Sequence, residues 1–135
     1  MPRSTFSDPN APKPVGPYSH GARGTDGSVF LSGQTPIDPT TGRLIDGDVA
    51  AQTAQVFANL ASVLTTADLS LDDVVKVNVY LVDMDDFEAM NTVYSKVFAA
   101  PYPARTTVAV AGLPLGARVE IELVAMGQLN EADTR

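Results

Sequence analysis

Residues 74–82 read Val74-Val75-Lys76-Val77-Asn78-Val79-Tyr80-Leu81-Val82. The two-residue period of a half-buried strand puts Val75, Val77, Val79 and Leu81 on one side and Lys76, Asn78 and Tyr80 on the other. Directly afterwards the period changes. Asp83, Asp85 and Asp86 supply capping groups and first-turn acids, and Phe87, Met90, Tyr94, Val97 and Phe98 form the apolar stripe of a helix that stops before Pro101 and Pro103. A strand running straight into an amphipathic helix decides for a mixed chain, and the other elements can be placed around that pair.

Upstream, Asp48 is a candidate N-cap for a helix over 48–67, in which Val49, Val56, Phe57, Leu60, Val63 and Leu64 share one broad face. Pro36 to Gly47 has the proline, glycine and aspartate content of a surface loop. Val29-Phe30-Leu31 pairs with the segment Tyr18 to Arg23 as an opening hairpin turning at Thr25-Asp26-Gly27. Downstream, Thr106 to Ala111 is a short strand, Gly112 to Gly116 a turn, and Arg118 to Met126 a last strand with Val119, Ile121, Leu123 and Ala125 on one face. The order β-β-α-β-α-β-β predicts an α/β (α+β) fold, a single mixed sheet with both helices on one face.

The other sheet face would carry Arg118, Glu120 and Glu122 with Val74, Tyr80, Val82, Val108, Val110, Val124 and Met126. It is too mixed for a core and too apolar for solvent, so another subunit is expected to cover part of it. Five of the ten prolines fall in the first seventeen residues, which predicts a flexible arm over 1–14, a single domain over 15–128 and a polar tail over 129–135.

The 135 residues, 44% hydrophobic and 19% charged, suit one folded domain. A net charge of −7 disfavours phosphate backbones, making nucleic acid an improbable partner. No apolar run approaches the roughly 20 residues of a membrane span, and the start lacks a signal-peptide core, so a cytoplasmic location is the default expectation. With no cysteine and one histidine, thiolate chemistry, Cys-ligated metals, multi-His metal sites and Ser-His-Asp catalysis all lose their parts.

Arg105, between Pro103 and a strand, offers a planar fork for a carboxylate, although by spacing alone a surface arginine is the commoner case. Glu120 becomes a usable acid or base if a neighbouring subunit desolvates it; the ordinary alternative is a solvent-facing strand residue, and Glu122 has similar claims. Tyr18, after the Gly16-Pro17 turn, can lie over a flat ligand, and Ser32-Gly33 can let one approach the backbone, yet both also suit plain hairpin construction. Asn91 interrupts the apolar stripe and bonds to a ligand or, more commonly, to its own protein. His20 is expected to be structural or solvated, and Asp83, Asp85 and Asp86 to cap a helix rather than hold a metal.

Taken together, Gly16-Pro17-Tyr18, Ser32-Gly33-Gln34-Thr35-Pro36, Val74 to Tyr80, Asn91, Pro103-Ala104-Arg105 and Val119-Glu120-Ile121-Glu122 closely resemble the reactive intermediate deaminase (Rid, or YjgF) family over roughly residues 15 to 127. The resemblance implies a chorismate-mutase-like fold, a homotrimer with ligand clefts between subunits, and cofactor-free hydrolysis of 2-aminoacrylate-type enamines and imines to 2-keto acids and ammonium. It implies that Arg105 pairs with the substrate carboxylate and Glu120 positions or activates water. Tyr18, Ser32, Gly33, Asn91 and Thr107 would line the cleft. Thr107 stands where many members have cysteine, and Val108 to Gly112 is less polar than usual. Two other readings compete: a non-catalytic trimer that binds small carboxylates, as regulator or chaperone, and an endoribonuclease or translation inhibitor, for which an acidic chain with one histidine is poorly equipped.

Overall fold

The computed structural model describes residues 3–127; the expected tail 129–135 lies outside them. In chain order the elements are β1 (Ser4–Phe6), β2 (Gly21–Arg23), β3 (Ser28–Gln34), β4 (Ile37–Asp38), β5 (Arg43–Leu44), α1 (Val49–Thr66), β6 (Val74–Leu81), α2 (Phe87–Val97), β7 (Ala104–Ala109) and β8 (Val119–Met126). The main sheet has the order β1-β2-β3-β8-β6-β7, with β4 and β5 as a separate ribbon. Among the described strands only β6 and β7 pair in parallel, because α2 carries the chain back over the sheet between them. The predicted mixed sheet with two helices is therefore the observed architecture, with β1, β4 and β5 added to the expected order.

Both helices form where their caps and stripes predict. The Asp48 side chain accepts from Ala51 N at 2.9 Å, and Asp83 accepts from Asp85 N in the 3-10 turn that leads into α2. Val56, Leu60, Val63 and Leu64 of α1 and Met90 of α2 are buried against Val77, Val79 and Leu81 of β6 and Val119, Ile121 and Leu123 of β8. Phe57 meets Tyr94 and Phe98 edge-on, with ring centroids 5.8 and 5.6 Å apart, and so fastens α1 to α2.

The alternation in β6 fails at one place. Val74 pairs with Ala125 and Lys76 with Val124, so Val75 is an extra residue. This bulge reverses two assignments: Val74 turns into the core, while Val75 faces outward at 46% exposure. The 36–47 segment, read as a surface loop, holds the β4–β5 ribbon, and Asn59 of α1 donates to the carbonyls of Thr35 and Ile37 beside it.

Within the arm expected to be flexible over 1–14, Ser4–Phe6 join the sheet, Ser4 pairing with Arg23. Gly21 admits it: a Cβ there would come within 2.2 Å of the Phe6 ring. His20, only 2% exposed, clamps the following segment from both ring nitrogens. Nδ1 accepts from Asp8 N at 2.9 Å and Nε2 donates to the Pro12 carbonyl at 2.8 Å. A backbone N–H can only donate, so the partners themselves fix the tautomer. Prolines that withhold donors were read as a sign of freedom, but the donors that hold this arm lie on other residues.

Among the described residues no helix is long and apolar enough to cross a membrane. His20→Ala would leave the Asp8 amide and Pro12 carbonyl unpaired in a buried place, and a loss of roughly 2–4 kcal/mol is expected in urea unfolding at fixed protein concentration. Unchanged stability would mean that the imidazole does not fasten the arm.

Candidate active site

Arg105 lies on edge strand β7 in register with Val77 of β6, and Thr107 with Val79. Val77 and Val79 are core residues, so Arg105 and Thr107 point to the helix-covered side of the sheet. There Arg105 Nη1 donates to Asn91 Oδ1 at 2.7 Å, and the guanidinium carbon stands 4.6 Å from the Tyr94 ring centroid and 5.6 Å from that of Phe87. The aromatic faces favour the cation, and the amide sets its plane. Among the described residues Arg105 makes no ion pair. Its fork borders an open cleft of about 340 Å³ lined by Asn91, Tyr94, Ser95, Tyr102 and Pro103.

Among the described residues the Thr107 hydroxyl, two residues further along the same face of β7, and the hydroxyl of Tyr94 are buried without a partner. Tyr94 is only 6% exposed; burial pushes its phenol up, and the Arg105 charge pulls the other way. Periodicity had assigned Tyr94 to the apolar stripe. The sign available in the sequence was the hydroxyl itself, a group that demands a partner in a row otherwise made of Phe, Met and Val. Ser95 and Tyr102 were likewise not singled out as cleft residues, nor Phe87 as a ring beside Arg105.

Glu120 lies on the opposite side. It is directly across from Tyr80, and Glu122 from Asn78, on the face without helices. In β3 the register slips between Leu31 and Gln34, opposite Leu123 and Ile121, giving one extra residue at Ser32-Gly33. The Glu120 side chain lies over that bulge, where a Cβ on residue 33 would stand 2.5 Å from its Oε2. With glycine at 33 the Glu120 carboxylate can occupy this place; any other residue there would push it aside. Desolvation raises the Glu120 pKa above the ordinary carboxylate value, and the Glu122 charge adds to the effect.

The remaining expected residues sit near the mouth of the β2–β3 hairpin. Ser32 Oγ donates to the Ser19 carbonyl at 2.6 Å, and Ser32 N to the His20 carbonyl at 3.0 Å. Tyr18 is largely exposed, its hydroxyl accepting from Val15 N at 3.1 Å. Within one chain the expected residues therefore fall into two groups on opposite faces of the sheet: Arg105, Asn91 and Thr107 on the helix side, and Glu120 and Gly33 on the open side. Asp83 is occupied as a cap, and among the described residues no group of three or more acidic or histidine side chains is placed to hold a metal ion.

Comparison with known proteins agrees over nearly the whole chain. The profile of the Endoribonuclease L-PSP family matches residues 8–127. A RutC family protein of Pyrococcus horikoshii is 48% identical over 116 residues, covering 86% of this chain and 91% of the relative. A mouse protein named 2-iminobutanoate/2-iminopropanoate deaminase is 40% identical over 124 residues, covering 92% of this chain and 91% of its own. Among solved structures, RidA from an Antarctic Psychrobacter superposes with a TM-score of 0.87 at 43% identity, covering 92% of this chain and 99% of that one. With this fold, these motifs and such coverage, the chain belongs to the Endoribonuclease L-PSP family, the YjgF/RidA group of proteins.

Proposed function

We propose that this protein hydrolyses reactive 2-imino acids, formed from 2-aminoacrylate-type enamines, to 2-keto acids and ammonium, at clefts shared between copies of the chain. The observation that carries the reading is the Arg105 fork, without an ion pair among the described residues and held by Asn91 and two aromatic rings at an open cleft. A fixed, partly desolvated guanidinium selects a planar carboxylate, and the buried hydroxyls of Tyr94 and Thr107 lie on the same side of the sheet. The mouse relative's name gives the same substrate class.

The chemistry needs little besides orientation and one base. With the carboxylate on Arg105, water attacks the imine carbon and Glu120 takes a proton from it. The carbon attacked is that of the protonated imine, so the product is a neutral carbinolamine. Glu120 returns its proton to the amino nitrogen, the C–N bond breaks as the hydroxyl gives up its own proton to form the keto group, and the departing ammonia takes up that proton as ammonium. A carboxyl with a raised pKa suits both proton transfers. Because the sheet separates Arg105 from Glu120 within one chain, a neighbouring copy has to supply the second half. Phe30, Val108 and Met126 are exposed on the open face with Val124 beside them, an apolar surface suited to such a copy. A closed ring of three is the assembly that we infer.

A carboxylate binder without turnover would use the same Arg105 cleft, but it gives no reason for a desolvated Glu120 over a glycine. Keto-acid release from enzymatically generated imines decides between them. Arg105→Ala is expected to remove acceleration, by at least about 100-fold in kcat/KM, and Glu120→Gln to lower kcat by roughly 100-fold with little change in KM. Wild-type protein that accelerates none of the imines would leave the binder.

Glu120→Gln carries a second expectation. A carboxyl whose pKa is raised on folding destabilises the protein at pH values above that pKa, so Gln is expected to raise stability at neutral pH and to lose this advantage as the pH falls and Glu120 protonates. Urea unfolding at two pH values reads the difference. Thr107→Val removes an unpartnered buried hydroxyl and is expected to stabilise the free protein by about 1 kcal/mol while weakening binding of a keto acid; equal binding would take Thr107 out of the cleft.

A further inference from the structure

Glu120 and Glu122 stand two residues apart on one face of β8, so both present a carboxylate to the same surface. They are not equivalent. Tyr80, directly across from Glu120 on β6, does not turn its hydroxyl to that neighbour but donates it to Glu122 Oε1. Among the described residues no side chain donates to Glu120, whose carboxylate lies instead over the bare Cα of Gly33. The other charges near this face are engaged elsewhere: Arg118 reaches Asp86 at 2.8 Å, and Lys76 donates to Thr106 at 2.8 Å. The bulged part of β3 offers Ser32 and Gly33, neither of them charged.

We propose that Tyr80 is a positioning residue for Glu120: by anchoring Glu122 it fixes a negative charge beside Glu120 and leaves Glu120 as the carboxylate that exchanges protons. The inference rests on Glu120 being the base of the proposed hydrolysis. The Glu122 charge disfavours ionisation of Glu120, so a fixed Glu122 makes its neighbour a stronger base. The Tyr80 phenol records the same bond from the other side: its pKa is pushed up to about 12, chiefly because it donates to Glu122. A tyrosine in a strand thereby distinguishes two carboxylates that the sequence presents as alike.

The test follows the Glu120 carboxyl carbon by NMR through a pH titration, in the whole protein labelled at glutamate. Wild type is compared with Tyr80→Phe, Glu122→Gln and the double variant, with kcat and KM measured alongside. Glu122→Gln is expected to move the Glu120 midpoint down, Tyr80→Phe to move it down by less, and the double variant to match Glu122→Gln, since Tyr80 acts only through Glu122. The acid limb of the activity profile should move in the same direction. In Tyr80→Phe, kcat should fall roughly two- to five-fold with KM unchanged.

A tyrosine that merely packs would lower stability and leave the midpoint in place. An unmoved midpoint in Tyr80→Phe, or a double variant that shifts further than Glu122→Gln, overturns the proposal. The titration needs no turnover, so it also separates the two readings. Expected midpoints in a protein that hydrolyses no imine would support the hold of Tyr80 on the Glu120 environment and remove the deaminase.

Discussion

The pleat of the β-sheet is the constraint on which the rest of this molecule depends. Side chains one residue apart on a strand emerge on opposite faces, and residues aligned across a pair share a face. Through the register of β6 with β7 and β8, this puts Arg105 with Val77 on the helix side and Glu120 with Tyr80 on the open side. No rotamer carries either group through the sheet. The proposed chemistry, which needs both an anion receptor and a carboxylate, therefore calls for a second copy to bring the two together.

Each half is held by a different device. On the helix side, α2 supplies Asn91 and Tyr94 one turn apart, so the guanidinium is bonded at one edge and stacked on one face. The aromatic contact of Tyr94 with Phe57 and Phe98 links that arrangement to the joint between the helices. On the open side the device is a backbone irregularity. The β3 bulge and the missing side chain of Gly33 make room for a carboxylate, and Tyr80 spends its hydroxyl on the adjacent acid. Bulges next to active sites commonly serve to aim a side chain in this way.

Much of this was legible in the sequence because regular periods dominate it. The strand at 74–82, the stripe from Phe87 to Phe98 and the Asp48 cap were readable from local patterns, and those elements set the fold. What was not legible depends on register. Nothing in Val74-Val75 shows which valine enters the core, since the bulge is fixed by pairing with Ala125 and Val124 fifty residues on. The arm around Asp8 seemed free because its own composition offers few donors, whereas His20 supplies the contacts. The resemblance to the Rid family gave roles to Arg105, Glu120 and Asn91 but none to Tyr80, which only the cross-strand pairing and its bond to Glu122 single out. The family profile and relatives then establish membership over residues 8–127.

The account makes a strict demand on how two defective chains behave together. Arg105→Ala and Glu120→Gln chains, each inactive alone, would be unfolded, mixed and refolded, and keto-acid release from an imine compared with that of either parent. If each cleft takes Arg105 from one copy and Glu120 from another, some clefts in the mixed assemblies contain both intact residues, and a substantial fraction of wild-type activity returns. If both residues serve from the same chain, every cleft in every mixture lacks one of them; activity no higher than that of the parents, in mixtures shown to contain both chains, would contradict the shared site.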